Sequence, residues 1–131
     1  CAARRSARWL SQRRAGNGTA AVYQYLLTRK LSLTTAVEVE QKQPMGVFHG
    51  SELPLVFAIP EDALTKDERR LSLAIQQFWT SFAATGTPSS EVAAISWPEY
   101  TAEADEVVRL DMPVSTLSNV KQELCDFWDA L

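Results

Sequence analysis

Met45-Gly46-Val47-Phe48-His49-Gly50-Ser51-Glu52-Leu53-Pro54-Leu55-Val56-Phe57 carries the chain's single histidine, set between two glycines. Glycine permits tight turns and close backbone approach. The stretch therefore predicts a loop, with room for a substrate to reach the ring. An imidazole accepts and returns a proton near neutral pH, so His49 is the first candidate for general acid–base work. The spacing His49-x-x-Glu52 also suggests half a metal site. One histidine and one carboxylate are fewer ligands than a closed or a catalytic zinc centre takes, and no metal is expected. Ser51 is a poor candidate nucleophile. It stands on the same turn and lacks the Gly-x-Ser-x-Gly elbow that exposes such a serine. Cys125 lies in an apolar stripe beside Asp126, a setting that disfavours the thiolate a cysteine nucleophile needs.

Outward from this loop the chain alternates between helix and strand patterns. Upstream, residues 32–44 read as a polar connection. Val22-Tyr23-Gln24-Tyr25-Leu26-Leu27 is rich in β-formers and nearly continuous in apolarity, which predicts a strand buried on both faces, as in a parallel sheet. Residues 2–14 suit a helix by composition, and Ala15-Gly16-Asn17-Gly18 is expected to end it. Downstream, Thr65 and Glu68 form a capping box. A helix follows over residues 66–85, with Leu71, Ile75, Phe78, Trp79 and Phe82 on one stripe. Gly86 and Pro88 close it. Val107-Val108-Arg109-Leu110 is a short strand candidate. A final helix is expected to carry Leu117, Val120, Leu124, Phe127 or Trp128, and Leu131 on one face. This interleaving predicts an α/β fold.

With 131 residues, 46% hydrophobic and 22% charged, the chain has the length and composition of one compact globular domain. No apolar run is long enough to span a bilayer. Charge is uneven. Arg4, Arg5, Arg8, Arg13, Arg14, Arg29 and Lys30 precede every acidic residue, yet the net charge is −3. A basic arm can bind nucleic acid, but no aromatic platform or nucleic-acid motif accompanies it. The arginines read as the solvated face of an amphipathic helix, and no nucleic-acid partner is expected. Cys1 and Cys125 stand near opposite ends. In a reducing compartment they are two separate thiols; in an oxidising one they can close nearly the whole chain into a loop. Asn17-Gly18-Thr19 fits an N-glycosylation acceptor in a secretory setting. The chain opens on Cys1 rather than Met, and no signal-peptide pattern follows.

Gly46-Val47-Phe48-His49-Gly50-Ser51-Glu52-Leu53-Pro54-Leu55-Val56-Phe57 resembles the segment that bears the catalytic histidine in type-B carboxylesterases and cholinesterases. The likeness runs on in order through Leu64-Thr65, Glu68, Leu71-Ser72, Trp79-Thr80-Ser81-Phe82-Ala83, Thr85-Gly86-Thr87-Pro88, Trp97-Pro98-Glu99-Tyr100 and Cys125-Asp126-Phe127-Trp128. Upstream it includes Val22-Tyr23-Gln24-Tyr25, and so covers essentially the whole chain. The resemblance implies the C-terminal portion of an α/β-hydrolase sheet-and-helix fold, with residues 1–131 as part of one domain. It implies a Ser–His–Glu triad hydrolysing small carboxylic esters without a cofactor. His49 is then the general base, and Glu52 a buried supporting group distinct from the triad acid. Cys1 and Cys125 match a family disulfide, which implies a secretory route. The nucleophile elbow, the oxyanion loop and the acid-bearing loop are missing from this sequence. In the family all three lie upstream, so the chain is expected to be a segment of a longer protein. The resemblance also admits a second class, the cholinesterase-like adhesion proteins, which keep the fold as a binding module and lose the triad. Substrate identity and oligomeric state are not specified by these residues.

Overall fold

A computed structural model describes residues 1–17 and 21–130, the side chains of residues 14–17 and 61 excepted. The chain divides into two compact units, the first made of Cys1–Leu26, Ser96–Arg109 and Thr116–Leu131, the second of Leu27–Ile95 and Leu110–Ser115.

In the first unit, helix α1 (Ala2–Asn17) draws on alanine, arginine and leucine, all good helix formers. The glycine at 16 does not stop it, and it runs three residues past the expected limit of 14. Its arginines are not simply a solvated face. Arg4 is 4% exposed. Its Nε donates to Asp105 at 2.6 Å and its Nη1 to Asp126 at 2.7 Å. The Arg8 guanidinium reaches the same Asp105 oxygen at 3.3 Å, and the Tyr100 hydroxyl donates to the other at 2.7 Å. Arg13, by contrast, lies in solvent with its guanidinium 4.1 Å from the Trp9 ring centre, one helical turn back.

Three strands, β1 (Tyr25–Leu27), β2 (Glu106–Leu110) and β3 (Ser115–Ser118), form one sheet in that order. The Val108 amide donates to Gln24 O at 2.9 Å and the Thr28 amide to Leu110 O at 3.2 Å. Partner numbers rise together along both strands, so β1 and β2 run parallel. A four-residue turn joins β2 to β3, and the Asn119 amide donates back to Asp105 O at 3.1 Å, an antiparallel hairpin. Helices and a small mixed sheet are present together, as the α/β expectation requires. The expectation of a strand over 22–27 buried on both faces needs correction. Regular strand covers only 25–27, β1 is terminal in the sheet order, and Tyr25 is exposed. A strand paired on one edge does not gain the cover of a central one. The hairpin partner β3 was not expected at all, because Ser115-Thr116-Leu117-Ser118 has little of the apolar pattern of a strand.

Helix α5 (Gln122–Asp129) is shorter than the stripe read from sequence. Cys125 is its buried residue, while Leu124, Phe127 and Trp128 are each about half exposed. Leu117 belongs to β3 and Leu131 lies outside the described residues. The apolar face is real, but in this chain it is turned away from the unit's own core.

The second unit is helical. Helix α2 (Ser32–Gln41) occupies the segment expected to be a polar connection. Its sequence, rich in threonine and valine and starting at Leu31 without a side-chain cap, gives little local signal. Tertiary contacts hold it, since Leu31 and Thr34 are buried and Ser32 is bonded to Glu68. Helix α3 (Leu53–Phe57) starts at Leu53-Pro54, where proline's fixed φ suits a first turn. Helix α4 (Lys66–Thr85) is the helix the sequence predicts. Its capping box is complete, with Thr65 Oγ1 accepting from the Glu68 amide and the Glu68 carboxylate accepting from the Thr65 amide. Gly86, with φ +76°, caps its end. Leu71, Ile75 and Phe78 are fully buried, whereas Phe82, one turn on, is about half exposed. Leu55 of α3 and Ala74 of α4 complete a tight contact between those helices. Among the described residues no helix is long and apolar enough to cross a membrane.

Candidate active site

The His49 loop belongs to the second unit and lies between α2 and α3. Gly46 and Gly50 both have positive φ, +62° and +86°. That region costs other residues a clash of Cβ with backbone, so the glycines set the path of the chain on either side of the ring. A turn closes around His49. The Ser51 amide donates to Phe48 O at 3.1 Å and the Leu53 amide to Gly50 O at 3.1 Å. The His49 side chain is exposed, on a turn, as expected. Among the described residues no hydrogen bond or ion pair engages its ring.

Both ends of the loop are fixed to helices. On the far side, the Leu55 carbonyl accepts from the buried Ser72 hydroxyl of α4 at 2.6 Å. On the near side, Glu38 of α2 takes the Met45 and Gly46 amides on one carboxylate oxygen, at 2.6 and 2.8 Å. Its other oxygen accepts from Lys30 Nζ at 2.7 Å. Lys30, then the Gly46 and Met45 amides, pull the Glu38 carboxyl down to about 2.

The structure does not bring every expected residue to the ring. Glu52 is half-buried rather than buried, and its backbone carbonyl accepts from Leu55 and Val56 in the first turn of α3. The buried carboxylate of this unit is instead Glu68, 1% exposed. It accepts from the Ser32 hydroxyl at 2.6 Å, the Ser32 amide at 2.7 Å and the Thr65 amide at 2.8 Å. Burial pushes its carboxyl up. The hydrogen bonds from Ser32 and Thr65 outweigh that, and the carboxyl is held below the usual carboxylate range. Sequence reasoning saw Glu68 only as a cap. The capping box was the signal that could have led to Ser32, but nothing local announces a partner so distant in sequence.

Behind the loop lies a cavity of about 150 Å³, walled by Leu31, Val37, Met45, Phe48 and Pro54 among others. The Ser51 hydroxyl forms part of that wall, buried and without a hydrogen-bond partner among the described residues. Its burial fits the reading that Ser51 is not a nucleophile. Cys1 and Cys125, both in the first unit, are separate thiols in this structure, the first exposed and the second buried. The Asn17-Gly18-Thr19 acceptor lies outside the described residues.

The profile of the Carboxylesterase family matches residues 2–128 of this chain. The acetylcholinesterase of Bungarus fasciatus is 37% identical over 90 residues, 65% of this chain and 15% of that protein. That of Gallus gallus is 35% identical over 88 residues, 64% of this chain and 12% of that protein. That of Danio rerio is 29% identical over 123 residues, 87% of this chain and 19% of that protein. The chain thus spans less than a fifth of the length of these relatives. The match over residues 2–128 makes this chain a member of the carboxylesterase family.

Proposed function

We propose that this chain is the C-terminal part of a carboxylic ester hydrolase of α/β-hydrolase fold and supplies the catalytic histidine, His49. The observation that carries the reading is the exposed imidazole on a turn fixed from both sides, in a chain of the carboxylesterase family. His49 removes the proton of a serine hydroxyl as that oxygen attacks the ester carbonyl. It then returns the proton to the departing alcohol. The serine, the triad glutamate and the oxyanion donors come from upstream chain, in keeping with the far greater length of the relatives. Met45, Val47, Phe48, Leu53, Phe57 and Ile59 are all substantially exposed about this loop. Apolar surface of that extent suits a face that further chain and an ester substrate cover. Glu52, half-buried beside the ring's turn, supports the loop rather than serving as the triad acid.

In an oxidising compartment, as the family resemblance implies, Cys1 and Cys125 pair and Asn17 carries a glycan. Helix α1 already lies beside α5 at this point, through Arg4–Asp126 at 2.7 Å and Arg5–Asp129 at 2.6 Å.

The test is to express the full-length protein and measure hydrolysis of p-nitrophenyl esters, with and without an organophosphate. Turnover that the organophosphate abolishes is the expected result. Stoichiometric failure to hydrolyse esters or to take the phosphoryl label would instead make the protein a binding module on the same fold.

A further inference from the structure

We infer that Glu38 is a positioning residue for His49, holding the near end of the catalytic loop in place; this rests on the reading of His49 as the general base. The segment from Lys42 to Gly46 joins α2 to the loop and contains four amide N–H groups, Pro44 having none. All four end on one residue. The Lys42 amide donates to the Glu38 carbonyl, and the Gln43 amide to the same oxygen at 3.3 Å. The Met45 and Gly46 amides donate to Glu38 Oε1 at 2.6 and 2.8 Å. Lys30 holds the carboxylate from the other side at 2.7 Å.

Backbone amides in an irregular segment need acceptors, and without them such a segment samples many paths. Here one carboxylate fixes two successive amides immediately before the chain turns at Gly46, three residues ahead of His49. Bonds from amide to carboxylate are charge-assisted and short, as these are. The Ser72–Leu55 bond fixes the far end, so the loop is held at two points with His49 between them. General-base catalysis depends on the ring lying within hydrogen-bond reach of the serine, and a displacement of about 1 Å can cost on the order of a hundredfold in rate. Glu38 touches neither ring nor substrate; it acts through the path of the backbone.

The substitutions Glu38→Ala and Glu38→Gln in the full-length protein test this, with His49→Ala as the control. Ala removes the acceptor. Gln keeps an oxygen for the two amides while losing the ion pair. We expect Glu38→Ala to lower kcat about tenfold to a hundredfold, with KM within about twofold and the melting temperature nearly unchanged. Glu38→Gln should recover most of kcat. Wild-type kcat in Glu38→Ala, or equal losses of kcat in the two variants, would overturn the inference. Hydrogen–deuterium exchange of peptides covering residues 42–50 gives a second reading that does not need activity. Protection should fall in Glu38→Ala and persist in Glu38→Gln, and unchanged protection in Glu38→Ala would overturn the anchor itself. Full activity in His49→Ala would defeat the functional reading separately, leaving exchange alone to decide the anchor.

Discussion

At Glu68 burial and hydrogen bonding oppose each other, and hydrogen bonding wins. The carboxylate satisfies the Ser32 and Thr65 amides and the Ser32 hydroxyl at once, and Arg29 lies 3.8 Å away. Removing it takes that acceptor from half-buried Ser32 and exposed Thr65, and hydrogen bonds to a charged group contribute about 1.5–3 kcal/mol each. Glu68→Ala is therefore expected to lower stability by about 3 kcal/mol, read as the shift in a urea midpoint. The pH dependence follows from the same shift. The folded carboxyl has a lower pKa than the unfolded one, so its contribution is fully present above the unfolded value. It is lost as pH falls through the folded value. Stability of Glu68→Gln should respond less steeply to acid than that of the wild type, and equal acid sensitivity would contradict this account. At this scale the sequence was informative where a residue acts locally. Gly46 and Gly50 announced the loop around His49, and Thr65 with Glu68 announced a helix start. The bonds from Glu38 to Met45 and from Glu68 to Ser32 join residues whose identities give no sign of one another.

Elements were legible in proportion to how far their own residues decide them. Helix α4 has a cap, an apolar stripe and a glycine stop, and it forms over the expected residues. Helix α2 has none of these and was missed, because Leu31, Thr34 and the Ser32–Glu68 bonds hold it from outside. In α5 the stripe was visible but the buried side was misjudged, since Cys125 faces inward and Phe127 packs edge-on against Trp128 in solvent. The junction of α1 with its own unit depends on Asp105, buried and held below its usual range. Burial opposes that, but the Tyr100 hydroxyl and Arg4 prevail. Asp105→Ala strands the buried Arg4 charge with only the half-exposed Asp126 as partner. A loss of about 3–5 kcal/mol is expected in a denaturant midpoint. The cysteines at these same helices give another check. In material from an oxidising compartment, mass mapping of non-reduced peptides should find Cys1 joined to Cys125, a crosslink that stabilises by up to about 4–5 kcal/mol. Two free thiols in that material would rule the pairing out.

For the molecule as a whole, the α/β class followed from alternating patterns, while the sheet's small extent did not, because strand pairing is non-local. The chain alone should be a weak catalyst and a loose fold. A histidine without a serine or an oxyanion hole offers little rate enhancement. A three-stranded sheet with β1 and β3 terminal leaves strand edges unpaired, and exposed Phe57, Ile59 and Trp128 leave apolar surface in water. Residues 1–131 expressed alone should show no organophosphate-sensitive ester turnover and a broad thermal transition. Serine-dependent turnover by this piece would contradict the division of the triad. The central claim, that His49 is the base of an ester hydrolase, is tested most directly by kcat/KM of His49→Ala in the full-length protein, beside the wild type and with the fold checked by circular dichroism. The account predicts a fall of about four orders of magnitude or more with the fold intact. Turnover close to wild type would contradict it.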